Sequence, residues 1–249
     1  MRHRPRKRFG QHFLHDHAVL ARIVDAIDPK ASEALVEIGP GEGALTRRLI
    51  EKAGQVTAIE IDRDLADALE AEFPRDRLAL HRADALEFDF GALPEGARIL
   101  GNLPYNISTP ILFRLAEWGA RFRDLHFMLQ LEVVDRMVAA HSTPEYGRLS
   151  VMLQARFAMK KLFRVAADAF RPPPKVESAV VRMVPLQGEA LPGNFADIVR
   201  QAFSARRKTL RNALGLAPAQ FAALRLDPGL RPENLTPQDY VRIAAICAR

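Results

Sequence analysis

Short apolar runs alternate with amphipathic segments along the first three quarters of the chain. Runs typical of β-strands lie at Ala34–Ile38, Gln55–Ile61, Arg77–Leu80, Ala97–Leu100, Leu125–Leu131, Leu149–Phe157 and Ser178–Val184. Helical patterns lie at Ala18–Ile27, Leu45–Lys52, Asp64–Glu72, Pro110–Trp118 and Glu132–Ala140. This alternation predicts an α/β fold with a seven-stranded, mostly parallel sheet. In such a sheet, ligands bind at the carboxyl ends of the strands.

The pattern changes after Pro185. Residues 186–193 have the glycine and proline content of a linker, and the segments beyond them are helical. Helices are predicted at Phe195–Arg206, Lys208–Leu214, Pro218–Leu224 and Pro237–Ala248. Thr236 is expected to cap the last of these helices, because Pro237 then takes the first helical position. We therefore expect two domains: residues 1–185 around the sheet, with a basic segment and the first helix in residues 1–30, and a small all-α domain at residues 186–249.

Composition excludes several classes of protein. The 249 residues are 48% hydrophobic and 27% charged, which is typical of a soluble globular chain. Cys247 is the single cysteine, so a disulfide framework within the chain, a cysteine-rich zinc site and an iron–sulfur cluster are excluded. No apolar run approaches the roughly 18 residues of a membrane span. We expect a cytoplasmic monomer that binds no metal and no membrane.

Positive charge is concentrated at the two ends of the chain. The net charge is +6, and residues 1–30 and 186–249 each carry +4, which leaves the middle at −2. Two interpretations remain open at this point. Basic flanks bind polyanions such as nucleic acids, but they also keep a protein in solution.

A glycine-rich turn follows the first predicted strand, in the segment Val36-Glu37-Ile38-Gly39-Pro40-Gly41-Glu42-Gly43. Glycines at this spacing let the backbone approach a bound nucleotide closely, and the spacing differs from those of dinucleotide folds and P-loops. Glu60 ends the second strand and is placed to bind ribose hydroxyls. Asp84 follows the third strand and is placed to accept from an adenine amine. Together they predict a site for an adenosine group that carries no phosphate.

A second candidate segment follows the fourth strand. It reads Gly101-Asn102-Leu103-Pro104-Tyr105-Asn106-Ile107-Ser108. The amide oxygen of Asn102 and the carbonyl of Leu103 can accept hydrogen bonds from the exocyclic amine of a base, and the ring of Tyr105 can stack on its face.

These two segments together resemble the Rossmann-like class I S-adenosylmethionine-dependent methyltransferases that act on exocyclic amines. Within that group the chain is similar to the ribosomal RNA adenine dimethyltransferases, above all to the bacterial small-subunit branch. The segments that carry this resemblance are Lys7–Leu14, Asn106–Pro110, Tyr146–Ser150, Phe170–Val176 and Ala205–Asn212. The match extends over nearly the whole chain.

The resemblance implies a role for each site residue. The backbone around His12 and Leu14 would cover the methionine end of S-adenosylmethionine, and Gly39 and Gly41 would contact this cofactor. Glu60 would bind its ribose, Asp84 its adenine amine, and Asn102 would lie between cofactor and target. The implied catalytic residues are Asn102, Leu103, Tyr105 and Phe170, with Phe170 as the second wall of the target base. His12 is a departure, because the family usually has Asn there.

The same resemblance implies the substrate and the partner. The expected product is N6,N6-dimethyladenosine at two adjacent positions near the 3′ end of small-subunit ribosomal RNA, and the expected partner is the small ribosomal subunit during its maturation. Four residues are predicted to contact RNA: Arg206, Arg207, Lys208 and Arg211. In the predicted helical register, Arg207 and Arg211 lie one turn apart.

Two alternatives stay open from the sequence alone. A nicotinamide-dependent dehydrogenase uses a similar fold, but it leaves the Asn102–Tyr105 segment unexplained. A ribosome-assembly factor with a vestigial transferase site would keep the basic flanks without the chemistry. A metal site at His12, His15, Asp16 and His17 is disfavoured by their irregular spacing.

Overall fold

The computed structural model describes residues 11–188 and 190–248. These residues divide into two compact units. The first comprises residues 11–134 and 159–185, and the second comprises residues 135–158, 186–188 and 190–248. Residues 135–158, which the sequence pattern places in the first domain, therefore belong to the second unit. The basic N-terminal residues 2–8 lie outside the described part of the chain.

The strands of the structure are β1 (Phe13–Leu14), β2 (Leu35–Ile38), β3 (Val56–Glu60), β4 (Leu78–Arg82), β5 (Ala97–Asn102), β6 (Phe122–Gln130), β7 (Phe157–Val165), β8 (Phe170–Arg171) and β9 (Ser178–Pro185). Among the described residues, seven of them form one sheet in the order β4-β3-β2-β5-β6-β9-β7. The pairs from β4 through β6 are parallel, and β9 is antiparallel to β6. The predicted seven-stranded, mostly parallel α/β sheet is confirmed.

The α-helices are α1 (His17–Ile27), α2 (Ala44–Ala53), α3 (Arg63–Glu72), α4 (Ser108–Glu117), α5 (Leu131–Val138), α6 (Arg148–Gln154), α7 (Phe195–Ser204), α8 (Leu210–Leu214), α9 (Pro218–Leu224) and α10 (Pro237–Cys247). Most predicted helices are found within a few residues of these bounds. Across residues 11–188 and 190–248, no helix combines the length and the apolarity needed to cross a membrane.

One predicted strand is wrong. The pattern predicts a strand over residues 149–157, but the structure has helix α6 there, and the strand β7 begins only at Phe157. A short apolar run fits a buried helix as well as a buried strand. The helix is favoured because Ser150 Oγ accepts from the N–H of Gly147 at 3.0 Å and donates to the Arg136 carbonyl at 2.5 Å. The strand β7 is not predicted because Lys160, Lys161 and Arg164 interrupt its apolar pattern. Charged residues are tolerated there because β7 lies at the edge of the sheet.

The apolar face of α1 packs on the sheet. Its buried residues Leu20, Ile23, Val24 and Ile27 recur at helical spacing and join one apolar cluster with side chains of α2 and of the central strands. Asp16 begins this helix by accepting from the N–H groups of Ala18 and Val19. The segment that precedes α1 is thereby held against the sheet.

The second unit has its own core. The ring of Phe203 lies between those of Tyr146 and Tyr240, with centroids 6.5 and 5.9 Å away. The hydroxyl of Tyr146 donates to the Leu235 carbonyl at 3.0 Å, and that of Tyr240 donates to the Pro232 carbonyl at 2.8 Å. The predicted cap at Thr236 is confirmed, because its Oγ1 accepts from the N–H of Asp239. The second unit therefore has an aromatic core in which both tyrosine hydroxyls are hydrogen-bonded.

A buried arginine ties the base of the sheet to the loop after α1. Arg98, on β5, is only 4% exposed. Its guanidinium donates to Asp124 at 2.8 and 3.0 Å, to Glu33 at 2.6 Å and to the Ile27 carbonyl at 2.6 Å. Burial by itself would raise the pKa of Asp124, but the hydrogen bonds and charge of Arg98 lower it overall.

We expect Arg98→Ala to lower the free energy of unfolding by about 3–5 kcal/mol, because it leaves the Asp124 carboxylate buried without its main partner. Urea denaturation measures the loss. Arg82→Ala is the matched control, since Arg82 is 41% exposed and forms only surface pairs with Asp67 and Glu70. That variant should lose far less stability than Arg98→Ala, because exposed ion pairs contribute little. Equal losses in the two variants would contradict the structural role of Arg98.

Candidate functional site

A cavity of about 260 Å³ opens at the carboxyl ends of β2, β3, β4 and β5. The structure brings to its lining every residue predicted to contact the cofactor: His12, Leu14, Gly39, Gly41, Glu60, Asp84 and Asn102. Leu103 and Tyr105 line the same cavity. Parallel pairing explains this convergence, because it places the ends of neighbouring strands at one edge of the sheet.

The glycine turn between β2 and α2 has the backbone that the sequence predicts. Gly39, Gly41 and Gly43 all have positive φ, at 67°, 57° and 76°, a conformation that glycine adopts without strain. At Gly41 a Cβ atom would also lie 3.1 Å from the ring of Phe13. A side chain at this position would therefore crowd the segment that covers the cavity.

Two acidic side chains stand at the strand ends. Glu60 is 5% exposed, and its carboxylate accepts from the N–H groups of Gly41 at 3.3 Å and Asp62 at 2.8 Å. Burial raises the pKa of Glu60, and these hydrogen bonds act against the rise. Asp84 is half-buried, and its Oδ1 accepts from the Leu86 N–H at 2.9 Å, which orients the carboxylate at the rim. Both carboxylates are thus positioned before any ligand binds.

A third carboxyl group lies under the glycine turn. Glu37 is 2% exposed, and its Oε2 accepts from the hydroxyl of Thr46 at 2.6 Å. Burial, with a smaller contribution from the charge of Glu60, raises the pKa of Glu37 to about 7. The sequence pattern assigns no role to this residue, although it lines the cavity.

The amide of Asn102 has a defined orientation. Its Nδ2 donates to the backbone carbonyl of His12 at 2.9 Å. Since a carbonyl only accepts, the nitrogen end of the amide must point to His12, and Oδ1 is the end that can accept from another group. Strands β5 and β2 approach each other closely beside Asn102. A Cβ atom on Gly101 would lie only 2.4 Å from the Ile38 carbonyl oxygen.

Tyr105 is held on two sides. Its hydroxyl lies 2.6 Å from Ser178 Oγ, and the imidazole of His12 stacks on its ring with centroids 5.6 Å apart and an angle of 28° between the planes. Burial raises the pKa of Tyr105, so the phenol stays neutral at neutral pH. The ring is therefore fixed at the wall of the cavity.

Phe170 lies elsewhere. Its side chain is 2% exposed and belongs to the apolar cluster beneath α1, and its backbone pairs with Leu14 in the small ladder of β1 and β8. In this structure Phe170 supports the segment that covers the cavity. Its role as a second wall for the base stays a prediction.

The basic residues after α7 fall into two groups. Arg206 donates to Glu233 at 2.7 Å and to the Pro144 carbonyl at 3.0 Å, so it has structural partners within the second unit. Arg207, Lys208 and Arg211 are exposed. The predicted helical register of Arg207 and Arg211 is wrong, because α8 begins at Leu210 and Arg207 lies in the preceding turn.

Sequence reasoning missed several contributors to the site. Ile61 is a large apolar side chain that lines the cavity while 46% exposed, and its place directly after Glu60 was an available signal. Ser178 had no signal of its own as a partner of Tyr105, because 73 residues separate them. His126 also lines the cavity, and burial lowers its pKa to about 4, so its imidazole is neutral.

Within the described ranges, no three histidine, cysteine, aspartate or glutamate side chains are grouped so that they could hold a metal ion. The side chains around the cavity instead offer carboxylates, amides and aromatic rings. This set suits a nucleoside and an amine better than a cation.

Comparison with known proteins points to one family. The sequence model of the family described as ribosomal RNA adenine dimethylase matches residues 2–249. A relative from Thiobacillus denitrificans, named ribosomal RNA small subunit methyltransferase A, is 55% identical over 99% of both chains. A relative of the same name from Chromobacterium violaceum is 54% identical over 98% of this chain and 95% of its own.

Solved structures share the fold. A dimethyladenosine transferase from Plasmodium falciparum superposes with a TM-score of 0.80 at 24% identity, over 93% of this chain and 96% of the other. The 23S rRNA methyltransferase ErmE has a TM-score of 0.72 at 28% identity, over 94% and 98%. Both similarities extend over nearly the full length of the chains compared.

We expect the burial of Glu37 to make stability depend on pH. A carboxyl group whose pKa is higher in the folded state binds more protons there, so its contribution to the free energy of unfolding falls as pH rises from about 4.5 to 7. Glu37→Gln removes this titration while retaining an acceptor for Thr46. The free energy of unfolding of the variant minus that of the wild type should therefore increase from pH 5 to pH 8. The increase should be at most about 1.4 kcal/mol per pH unit.

Urea denaturation at the two pH values measures this difference. Glu42→Gln is the matched control, since it makes the same replacement at an exposed position of the same turn. Parallel pH profiles for wild type and Glu37→Gln would contradict the assignment.

Proposed function

Because the chain belongs to the ribosomal RNA adenine dimethylase family, we propose that it transfers methyl groups from S-adenosylmethionine to N6 of adenines in small-subunit ribosomal RNA. The product is N6,N6-dimethyladenosine at two adjacent positions near the 3′ end of that RNA, and the modification belongs to the maturation of the small subunit. The observation that carries the proposal is the fixed orientation of the Asn102 amide beside the ring of Tyr105.

The residues present fit S-adenosylmethionine. Gly41 has no Cβ atom, which would crowd the ring of Phe13 at the cavity. Glu60 and Asp84 supply carboxylates at adjacent strand ends. Glu60 would bind the ribose hydroxyls, Asp84 the adenine amine, and Ile61 offers an apolar surface to the base. Gly39 and the backbone of His12 and Leu14 would bound the methionine end.

The amine to be methylated is a poor nucleophile, since its lone pair is delocalised into the purine ring. The bound S-adenosylmethionine supplies an electrophilic methyl group. The chain supplies positioning: in the first transfer Asn102 Oδ1 and the Leu103 carbonyl accept the two N6 hydrogens, which favours a pyramidal nitrogen with an available lone pair. Each transfer would leave S-adenosylhomocysteine and release one N6 proton to solvent. Tyr105 stacks on the base and holds its plane, and its own ring is fixed through Ser178.

RNA binding is assigned to the exposed cations of the second unit. Arg207, Lys208 and Arg211 are exposed and can meet phosphates. The sequence predicts that Arg206 joins them, but its guanidinium already pairs with Glu233. We therefore assign Arg206 to the stability of the second unit, and RNA contact by Arg206 stays a prediction.

We expect the wild-type protein to label small ribosomal subunits that lack adenine dimethylation when radiolabelled S-adenosylmethionine is the donor. The label should appear in N6,N6-dimethyladenosine after digestion of the RNA. Asn102→Ala should lower kcat by about 100-fold or more, because it removes an acceptor that acts on the reacting nitrogen.

The Tm of both proteins reports any loss of folding, and their Kd for S-adenosylmethionine, measured by calorimetry, reports any loss of donor binding, so that a fall in kcat at saturating donor reports the chemistry. Substantial turnover by Asn102→Ala at saturating donor would contradict the role of Asn102. Binding of subunits without any label in the wild type would favour an assembly factor over an enzyme.

Neutralising Arg207, Lys208 and Arg211 together should weaken subunit binding and reduce the slope of log Kd against log salt by about one for each phosphate that the variant no longer binds. Filter binding across a salt series measures both quantities. Arg200→Ala is the control, because Arg200 is equally exposed but pairs with Asp197 on its own helix. An unchanged slope in the triple variant would remove this cluster from the interface.

A further inference from the structure

The side chain of His12 lies on the target side of the cavity. Its imidazole stacks on Tyr105 in an offset, nearly parallel arrangement, with centroids 5.6 Å apart. The resemblance to the family assigns only the backbone at this position to the cofactor. The ring of His12 thus contacts the surface on which the target base is proposed to stack.

Two hydrogen bonds hold His12 in this place. Its Nδ1 lies 2.7 Å from the Pro172 carbonyl, and since that oxygen only accepts, Nδ1 carries the proton. Its own carbonyl accepts from Asn102 Nδ2. The imidazole is therefore positioned by the loop after β8 and by the residue proposed to orient the reacting amine.

Tyr105 cannot easily turn away from this contact. Its hydroxyl lies 2.6 Å from Oγ of Ser178, which is fully buried on β9. The ring is therefore anchored at its far end, and its stacked face keeps its direction. A base that stacks on this face has to meet the imidazole.

The spacing leaves no room for a third ring between the two. Two rings that enclose a base lie roughly 7 Å apart, twice the contact distance of about 3.5 Å between stacked carbon atoms. The observed separation is smaller. Entry of a base therefore requires the imidazole to move.

We propose that the His12 imidazole occupies the stacking face of Tyr105 in the free protein and that the target adenine must displace it. This inference rests on the function proposed above. Displacement exchanges one stack for another and breaks the hydrogen bond to Pro172. This cost is the same for every base, and a purine, which has a larger face than an imidazole, recovers more of it by stacking on Tyr105 than a pyrimidine does.

His12→Ala tests the proposal by exposing Tyr105 without altering the backbone that contacts Asn102. The KM for small subunits should fall about three- to tenfold, the range expected for loss of one competing aromatic stack, with a smaller change in kcat. His12→Phe keeps a ring on Tyr105 and should not lower KM. His15→Ala, at an exposed histidine of the same segment, is the matched control.

A spectroscopic measurement reports on the imidazole directly. With the protein saturated by S-adenosylhomocysteine, adenosine should shift the ring proton resonances of His12 as they leave the face of Tyr105, and cytidine should require a higher concentration. The resonances of His15 serve as the internal reference. Shifts of the Tyr105 ring protons with adenosine but none for His12 would overturn the proposal.

The two proposals fail in different ways. No dimethyladenosine from the wild-type protein would overturn the proposed function. Normal methylation by the wild type, together with an unchanged or raised KM in His12→Ala, would overturn only the displacement of His12.

Discussion

Parallel pairing of β2 with β3 on one side and β5 on the other is the constraint on which the site depends. Ile38 pairs with Ile59, and Glu37 pairs with Leu100, so the three strands end at nearly the same level. The glycine turn follows the end of β2 directly, and Glu60 and Asn102 are the last residues of β3 and β5. Hydrogen bonds between strands thus align groups from three distant parts of the chain, and the Arg98 network ties the opposite end of β5 to β6 and to the end of α1.

The cavity combines carboxylate and amide groups that are already oriented with an aromatic ring whose face already contacts another ring. The carboxylates of Glu60 and Asp84 and the amide of Asn102 are each oriented by a hydrogen bond within the chain, so their ordering costs a ligand little free energy. Tyr105 differs, because its face is covered by the imidazole of His12. The part of the cavity proposed to bind S-adenosylmethionine is therefore held in place by hydrogen bonds, whereas binding of the adenine as proposed would require His12 to move.

The fold was largely predictable because apolar periodicity is a local property. Strands such as β2 and β3 and helices such as α3 and α9 are found within one or two residues of their predicted bounds. The errors occur where the local signal is ambiguous or absent. The run at 149–157 fits a helix or a strand equally well, and the charged edge strand β7 has no apolar period to detect.

By itself, the sequence determined the α/β class, the order of the elements from β2 to α5 and the chemistry-bearing residues at the strand ends. Resemblance supplied the roles of those residues. Only the tertiary structure decided which groups meet: Tyr105 with Ser178, His12 with both Tyr105 and Pro172, Arg206 with Glu233 rather than solvent, and Phe170 within the apolar core. The physical reason is that these contacts join residues far apart in the chain, and their geometry depends on strand register and packing, which no local pattern records.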